Sequence, residues 1–293
     1  MTLCARGGPG LRLCQALHDV SALAGYFDED SMIRVVHRER ALALYGPRAL
    51  LMQAAHPLAV EGLLAHSSGI EEPYERLART AEIMDTIVFG ERAAADRVTR
   101  RVRAMHGRVS GELDRPVGRY PAGTAYRADD PELLLWVLFT LVDSALVVYR
   151  AYVGELTRRQ EAALWQDYRV VGGLFGLERA QMPATLADLD AYRTRMLTGD
   201  TLQVGEWARR RAREIVLEPP VPLAVRPLVE ATNFITVTLL PDRIRSEYGF
   251  SRLPPQPLRS AVVTGGAEYV KRAVLPLLPR RLRLTPVARA ATA

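Results

Sequence analysis

The stretch LLLWVLFTLVDSALVV, residues 133–148, is the most apolar run of the sequence, and it decides the fold. It is shorter than the ~20 residues that a bilayer-spanning helix needs, and it carries Asp143 in its second half. We therefore predict a buried central helix. Asp130 is placed to cap this helix and Pro131 to occupy its first position.

Asp143 stands with Thr140 and Ser144 in a small polar island within this apolar run. A buried carboxylate is unfavourable unless it is paired and hydrogen-bonded. The sequence therefore predicts that an arginine from a neighbouring helix reaches Asp143.

Helical periodicity dominates the rest of the chain, so the predicted fold class is mainly α, a multi-helix single domain. Residues 40–66 are apolar on nearly every side, which indicates an enclosed helix. Pro57 should kink it and leave the Gln53 carbonyl without its usual donor. Further helices are predicted over 73–89, 91–112, 157–174, 185–198, 201–216, 225–240 and 257–278.

The chain shows neither an internal repeat nor a composition break that would divide it into two domains. We expect a poorly ordered leader over residues 1–30, one helical domain over 31–278 and a basic tail over 279–293. A solvated, frayed tail is favoured over a peripheral contact with a membrane surface. The sequence leaves open whether the protein forms a homo-oligomer.

Charge and cysteine usage limit the classes of partner. The chain has 293 residues and a net charge of +6, and its arginines are spread through amphipathic stretches, which does not fit a nucleic-acid reader. Cys4 and Cys14 lie outside the periodic segments and have no metal-knuckle spacing. The first residues lack a long apolar segment with a cleavage site, so a cytoplasmic location is predicted.

His106 lies in RVRAMHGRVSG, residues 101–111, within a predicted helix. Val102 and Val109 belong to the apolar stripe of that helix, and His106 lies at its border, between the core and a groove. An edge-of-core histidine and a neutral imidazole that ligates a metal both fit this spacing.

Arg76 and Thr80 are four residues apart, so they lie one above the other on the predicted helix 73–89. Ile83 and Ile87 continue the same face. This face suits a flat hydrophobic ligand that carries carboxylates, because an arginine can bind a carboxylate through two hydrogen bonds. A surface arginine that pairs with a nearby acid is the alternative.

The remaining histidines fall into two groups. His56 precedes Pro57 in the most enclosed helix and is either a pocket residue beside the kink or a buried histidine that donates to a carbonyl. His18 and His37 lie in polar contexts near the N-terminus, so we predict that they are surface residues.

Motifs of several enzyme classes are absent. There is no Glu-x-x-His pair of the ferritin-like type, no His-Glu-x-x-His, no G-x-S-x-G and no P-loop. The glycine-rich stretches do not stand at a strand-to-helix turn, which argues against a dinucleotide site.

Four segments carry a family resemblance by their order and separation. They are LLMQAAHPLAVEGLLAHS (50–67), YERLARTAEIMDTIVFG (74–90), RVRAMHGRVSG (101–111) and DPELLLWVLFTLVDSALVVY (130–149). In this order the chain resembles the family that includes the MpaB oxygenases and the latex clearing proteins, over roughly residues 35–250.

The resemblance implies a globin-like core that holds a b-type haem, used with dioxygen on hydrophobic or isoprenoid-like substrates. In the latex clearing branch a histidine on the helix after an Arg-x-x-x-Thr motif is the proximal iron ligand, and His106 matches it. Arg76 and Thr80 match the motif itself and would lie near the haem. Residues 31–278 would then be a haem-binding, oxygenase-like domain.

The chain departs from the family pattern at three positions. Arg79 replaces a lysine that can approach the iron, and an arginine is too basic to be a good ligand. Leu138 stands where many relatives have a histidine. A catalytic carboxylate of the latex clearing branch has only Glu61 close to it in sequence.

The leading hypothesis is therefore a haem b-dependent oxidoreductase, an oxygenase that acts with dioxygen on a hydrophobic small molecule. His106 would ligate the iron, and His56 and Arg79 would line the catalytic distal side. The alternatives are a non-catalytic helical protein that binds haem or an apolar ligand, and a helical interaction protein without a cofactor.

Overall fold

The computed structural model describes residues 24–60, 73–217, 221–251 and 265–291, and these are mainly helical. They form a single, mainly α domain, as predicted. The α-helices are α1 Met32–His37, α2 Tyr45–Gln53, α3 Pro73–Phe89, α4 Arg92–His106, α5 Pro131–Tyr152, α6 Arg158–Leu174, α7 Leu186–Thr198, α8 Glu206–Leu217, α9 Arg226–Thr238, α10 Asp242–Glu247, α11 Ala267–Tyr269, α12 Arg280–Arg283 and α13 Pro286–Ala290. The globin-like arrangement of the core stays a prediction.

The central helix α5 is buried along most of its length, as its apolar sequence predicts. The Asp130 carboxylate accepts the Glu132 N–H at 2.8 Å, and Pro131 occupies the first helical position, so the predicted start is confirmed. Helix α2 lies along α5 in the largest helix–helix contact of the described residues. In length and composition α5 could also cross a membrane, but 67% of its apolar window is buried within the protein.

Two arginines hold the buried Asp143 of α5. Arg48 of α2 approaches its Oδ2 at 2.8 Å, and the half-exposed Arg193 of α7 approaches its Oδ1 at 3.0 Å. The Arg48 guanidinium also donates to the Ser144 hydroxyl at 2.7 Å and to the Leu239 carbonyl at 2.8 Å. The predicted arginine partner is confirmed, and it joins α2 to α5.

The predicted helix 40–66 is divided into shorter pieces. A 3₁₀ turn over Arg40–Leu44 leads into α2, which ends at Gln53, and residues 57–60 are helical again. Pro57 cannot donate to Gln53, but the His56 N–H donates to the Gln53 carbonyl at 3.1 Å. The predicted unpaired carbonyl is therefore wrong, because the chain tightens into a turn there. Glu61 and the rest of the predicted helix up to residue 66 lie outside the described residues.

Helix α3 has the predicted bounds, whereas the predicted helix 91–112 ends early, at His106. Residues Ser110–Glu112 instead form strand β1, which pairs antiparallel with strand β2, Ala125–Arg127. Gly111 lies opposite Tyr126 in this ladder, and a Cβ at Gly111 would lie 2.5 Å from the Tyr126 hydroxyl. The helix ends at His106, and the chain continues into this small hairpin. The sequence did not predict the hairpin, because glycine has a low preference for strands.

His37 is buried, so the predicted surface position is wrong. It ends α1, whose Ile33 and Val36 are fully buried, and α1 packs against α6. The His37 Nε2 lies 2.8 Å from the Tyr168 hydroxyl, and burial lowers the pKa of the imidazole from 6.5 to about 4. The polar neighbours in sequence misled the prediction, because the three-to-four spacing with Ile33 directs the ring inward.

The C-terminal stretch that was expected to fray forms α12 and α13 up to the last described residues. The Arg283 guanidinium donates to both oxygens of the buried Glu39 carboxylate, at 2.8 and 2.9 Å. The Thr285 N–H donates to the Arg38 carbonyl at 2.8 Å. The stretch is thus attached to the turn between α1 and α2.

We predict that Arg48→Met lowers the free energy of unfolding by about 3 kcal/mol or more, because Asp143 then keeps only a half-exposed partner. Arg193→Gln, the matched control, should cost about 1 kcal/mol or less. The double variant Arg48→Met/Asp143→Leu should recover much of the loss, since no buried charge is left unpaired. Urea unfolding measures all three, and equal losses for the two single variants would contradict the prediction.

The stability of the protein should fall in acid through His37. The folded pKa of about 4 lies below the ordinary 6.5, so the folded state binds fewer protons between these values, and stability is lost as the pH falls from about 6.5 towards 4. His37→Gln should reduce the slope of unfolding free energy against pH in this window by up to about 1.4 kcal/mol per pH unit. Urea unfolding across the window tests this, and an unchanged slope would refute it.

Candidate functional site

His106 occupies the last turn of α4, where the helix meets the hairpin. Its side chain is half-buried, and the ring atom Nδ1 is fully buried without a hydrogen-bond partner among the described residues. Burial and the nearby charge of Arg76 lower the pKa of His106, and Asp129 opposes them. The imidazole is therefore neutral at pH 7, as a metal ligand would have to be.

A groove of about 660 Å³ opens beside His106. This volume lies within the usual range of small-molecule sites. Its lining comes from α4, the start of α5 and the end of α6: Arg100, Arg103, Ala104, His106, Asp129, Leu134, Phe175 and Gly176. The lining combines apolar side chains with two guanidinium groups, so it suits a flat apolar molecule that carries acidic groups.

Arg103 lies one helical turn before His106 and therefore on nearly the same side of α4. The Arg103 side chain lies against the turn after α6. Gly176 in this turn has a φ of +103°, and a Cβ added at Gly176 would lie 3.3 Å from Arg103 Nε. A glycine at this position allows both the positive φ and the close approach of the guanidinium. Sequence reasoning missed Arg103, although its spacing from His106 was visible.

Arg76 of α3 approaches His106 across the α3–α4 contact. It is half-buried, and burial together with the charge of Arg79 lowers its pKa. Of the predicted pocket residues, Arg76 and His106 are thus brought together by the fold. Arg76 does not line the groove, so its expected role in binding a cofactor stays a prediction.

Thr80 and Arg79 have more exposed positions on α3. The Thr80 hydroxyl donates to the Arg76 carbonyl of its own helix at 2.9 Å. Arg79 forms an i,i+4 ion pair with Glu75 at 3.7 Å, and both side chains are largely exposed. No contact within the described part of the chain joins either residue to His56.

His56 lies in the turn after α2 and is buried. Its ring is 5.8 Å from the ring of Tyr120, centroid to centroid. Burial, with a smaller effect of Arg119, lowers the pKa of His56 from 6.5 to about 4. Its Nδ1 is also buried and has no hydrogen-bond partner among the residues that the structure describes.

Both imidazoles lie near the start of α5, where two aspartates act on them electrostatically. The charge of Asp130, the cap of α5, acts on His56, and that of the adjacent Asp129 acts on His106. Asp129 is held by Arg127 through two hydrogen bonds of 2.9 and 2.8 Å. The approach of both histidines to this one helix end could not be read from the sequence.

The described residues contain no cluster of three or more histidine, cysteine or carboxylate side chains that could hold a metal ion by themselves. A metal at this site would accordingly need ligands besides the described side chains. His106 could contribute one ligand nitrogen to a metal-containing cofactor, and the arginines of the groove could bind carboxylates.

Comparison with known proteins identifies the family of the chain. A family model described as "ER-bound oxygenase mpaB/B'/Rubber oxygenase, catalytic domain" matches residues 33–284. No curated protein and no solved structure shows significant similarity to the chain. The matched region extends from the second residue of α1 to just after α12, and it includes His106, Arg76 and the groove. Because the match covers most of its length, the chain belongs to the mpaB/rubber oxygenase catalytic-domain family.

Proposed function

We propose that the protein is a haem b-dependent oxidoreductase, an oxygenase that uses dioxygen on a hydrophobic small molecule. Membership of an oxygenase family supports the reaction class. The observation that carries the haem assignment is the half-buried imidazole of His106 at the wall of the groove, which its lowered pKa keeps neutral at pH 7.

The residues of the groove fit a haem in their chemistry. His106 would ligate the iron, while Leu134 and Phe175 would contact the apolar ring. Arg100 and Arg103 would bind the two propionate groups. Arg76 would add a positive charge near the imidazole, and Thr80 shares its helix side.

When bound, the haem would supply the redox chemistry with dioxygen, and the protein would supply orientation, polarity and exclusion of water. Burial keeps the His56 imidazole neutral above about pH 4, so one ring nitrogen carries a proton that it can donate in a hydrogen bond. We assign His56 to the catalytic, distal side. Arg79 was expected there as well, but its exposed side chain pairs with Glu75 on the surface of α3, so the structure gives no support for that role. The apolar surroundings that lower the pKa of His56 would also favour a hydrophobic substrate.

We place the protein in the cytoplasm, with at most peripheral membrane contact. Self-association is compatible with this function but not required by it. A non-catalytic protein that binds haem or another apolar ligand is the second candidate, because the groove and the neutral imidazole of His106 would serve a carrier equally well.

The visible spectrum of protein purified after expression with ample haem tests the assignment. We expect a Soret band in the wild type and its loss in His106→Gly, because no other described side chain lines the groove as an imidazole. Added imidazole should restore the band in His106→Gly by filling the vacated position. His37→Gln, which changes a histidine outside the groove, is the control and should retain the band.

Colourless wild-type protein, or a His106→Gly variant with the wild-type spectrum, would refute the haem assignment. Oxygen uptake with squalene as a hydrophobic isoprenoid probe separates the two candidate functions. Uptake that requires both haem and the probe supports the oxygenase, whereas a haem-loaded protein without uptake for any hydrophobic probe favours the carrier.

His56 should affect the dioxygen affinity of the haem-loaded protein. We expect His56→Phe to weaken this affinity about tenfold, the loss of one hydrogen bond, because phenylalanine keeps the packing on Tyr120 but has no donor. His56→Gln retains an N–H donor, so its dioxygen affinity should lie between those of the wild type and His56→Phe. Equal affinities in all three proteins, measured by flash photolysis, would remove His56 from the distal side.

A further inference from the structure

An exposed surface at the C-terminal end combines leucines with arginines. We call it the Leu–Arg patch and define it by Leu277, Leu282, Arg272, Arg280 and Arg281. Leu277 is 84% exposed and Leu282 is 51% exposed, on either side of Pro279. Large apolar side chains with this exposure next to cations are typical of a docking surface.

The charge of this region has one sign. Residues 269–293 contain six basic residues and no acidic one. Arg280 and Arg281 are exposed and form no ion pair with another described residue, and Arg272 is 80% exposed although it pairs with Glu268. Glu39 neutralises Arg283, and Glu268 pairs with Lys271 and Arg272, so the uncompensated charge of the patch comes from Arg280 and Arg281.

The patch is held in place by the body of the protein. Besides the Glu39–Arg283 pair, the Arg40 guanidinium donates to the Leu284 carbonyl at 2.9 Å, and Glu39 and Leu284 form an antiparallel bridge. Leu275 and Leu284 are buried on either side of the exposed leucines. These attachments prevent Leu277 and Leu282 from folding back onto the core.

We propose that the Leu–Arg patch docks reversibly on an anionic phospholipid surface. The leucines would enter the boundary between headgroups and acyl chains, and the arginines would bind lipid phosphates. The proposal concerns a surface formed by the helical turns between α11 and α12 and by α12 itself, whereas the groove is lined by α4, α5 and the end of α6. It goes beyond the proposed function, and it holds whether or not the protein binds haem.

The composition of the patch favours lipid over other occupants. A second copy of the same patch would bring arginines against arginines, which repel each other. A nucleic acid would pair with the arginines but offers no apolar layer for Leu277 and Leu282. An anionic bilayer satisfies both components at once.

Co-sedimentation of the full chain with vesicles tests the proposal. We expect binding to vesicles of phosphatidylcholine mixed with phosphatidylglycerol, little binding to phosphatidylcholine alone, and weaker binding as salt is added. Arg280→Gln/Arg281→Gln should weaken binding about 25-fold, at about fivefold for each arginine. Leu277→Ser should weaken it about tenfold through lost burial of the side chain in the bilayer.

Matched control variants lie elsewhere on the surface. Leu223→Ser removes a leucine that is 80% exposed before α9, and Arg210→Gln removes an exposed arginine of α8. Both should bind vesicles as the wild type does. Circular dichroism and thermal unfolding verify that the variants remain folded, which is expected because the substituted side chains are exposed.

Three results would overturn the proposal: wild type that stays in the supernatant with anionic vesicles, equal binding to neutral and anionic vesicles, or equal losses in the control and patch variants. A concentration-dependent dimer that Leu277→Ser abolishes would identify the patch as an interface between copies instead. The haem spectrum is measured separately, so a failure of lipid binding is distinguishable from a failure of the proposed function.

Discussion

The burial of α5 is the constraint on which the rest of the structure depends. A helix that is apolar on every side must be covered on every side, and α2, α6 and the segments around them provide that cover. Asp143 is the charged exception within this helix. It restricts how the neighbouring helices pack, because Arg48 of α2 must lie close enough to neutralise it. The ion pair thereby sets the position of α2 relative to α5.

The candidate site lies where this constraint ends. At the N-terminus of α5 the apolar run gives way to Asp129 and Asp130, and the covering elements no longer need to be apolar. The end of α4 and the turn after α2 both approach this point and bring His106 and His56 with them. Two neutral imidazoles and a groove lined by arginines and apolar groups result from the same packing.

The family membership indicates the class of reaction, and the physical properties of the site indicate which residues could take part. The family model assigns the chain to oxygenases, and it says nothing of which side chains surround a cofactor here. The structure shows a neutral, half-buried imidazole at the groove and a guanidinium one turn before it. These observations give the haem proposal its specific residues, Arg103 above all.

Of the residues that line the groove, the sequence predicted only His106, because it lies at the border of the apolar stripe of its helix. Helical spacing also related Arg76 to Thr80, but neither residue lines the groove. Arg103 was open to the same reasoning and was missed. Asp129 and Gly176 were not accessible to it. They reach the groove from other elements, and no local pattern reports which elements meet across space.

By itself, the sequence determined the helical class, the buried central helix with its cap at Asp130, and the need for an arginine at Asp143. These follow from local periodicity, capping and the cost of a buried charge, which act within one element. Only the tertiary structure decided that His37 is buried, that Arg283 binds Glu39 and that both imidazoles meet the start of α5. The physical reason is that these are contacts between residues distant in the chain, whose formation depends on how the helices pack.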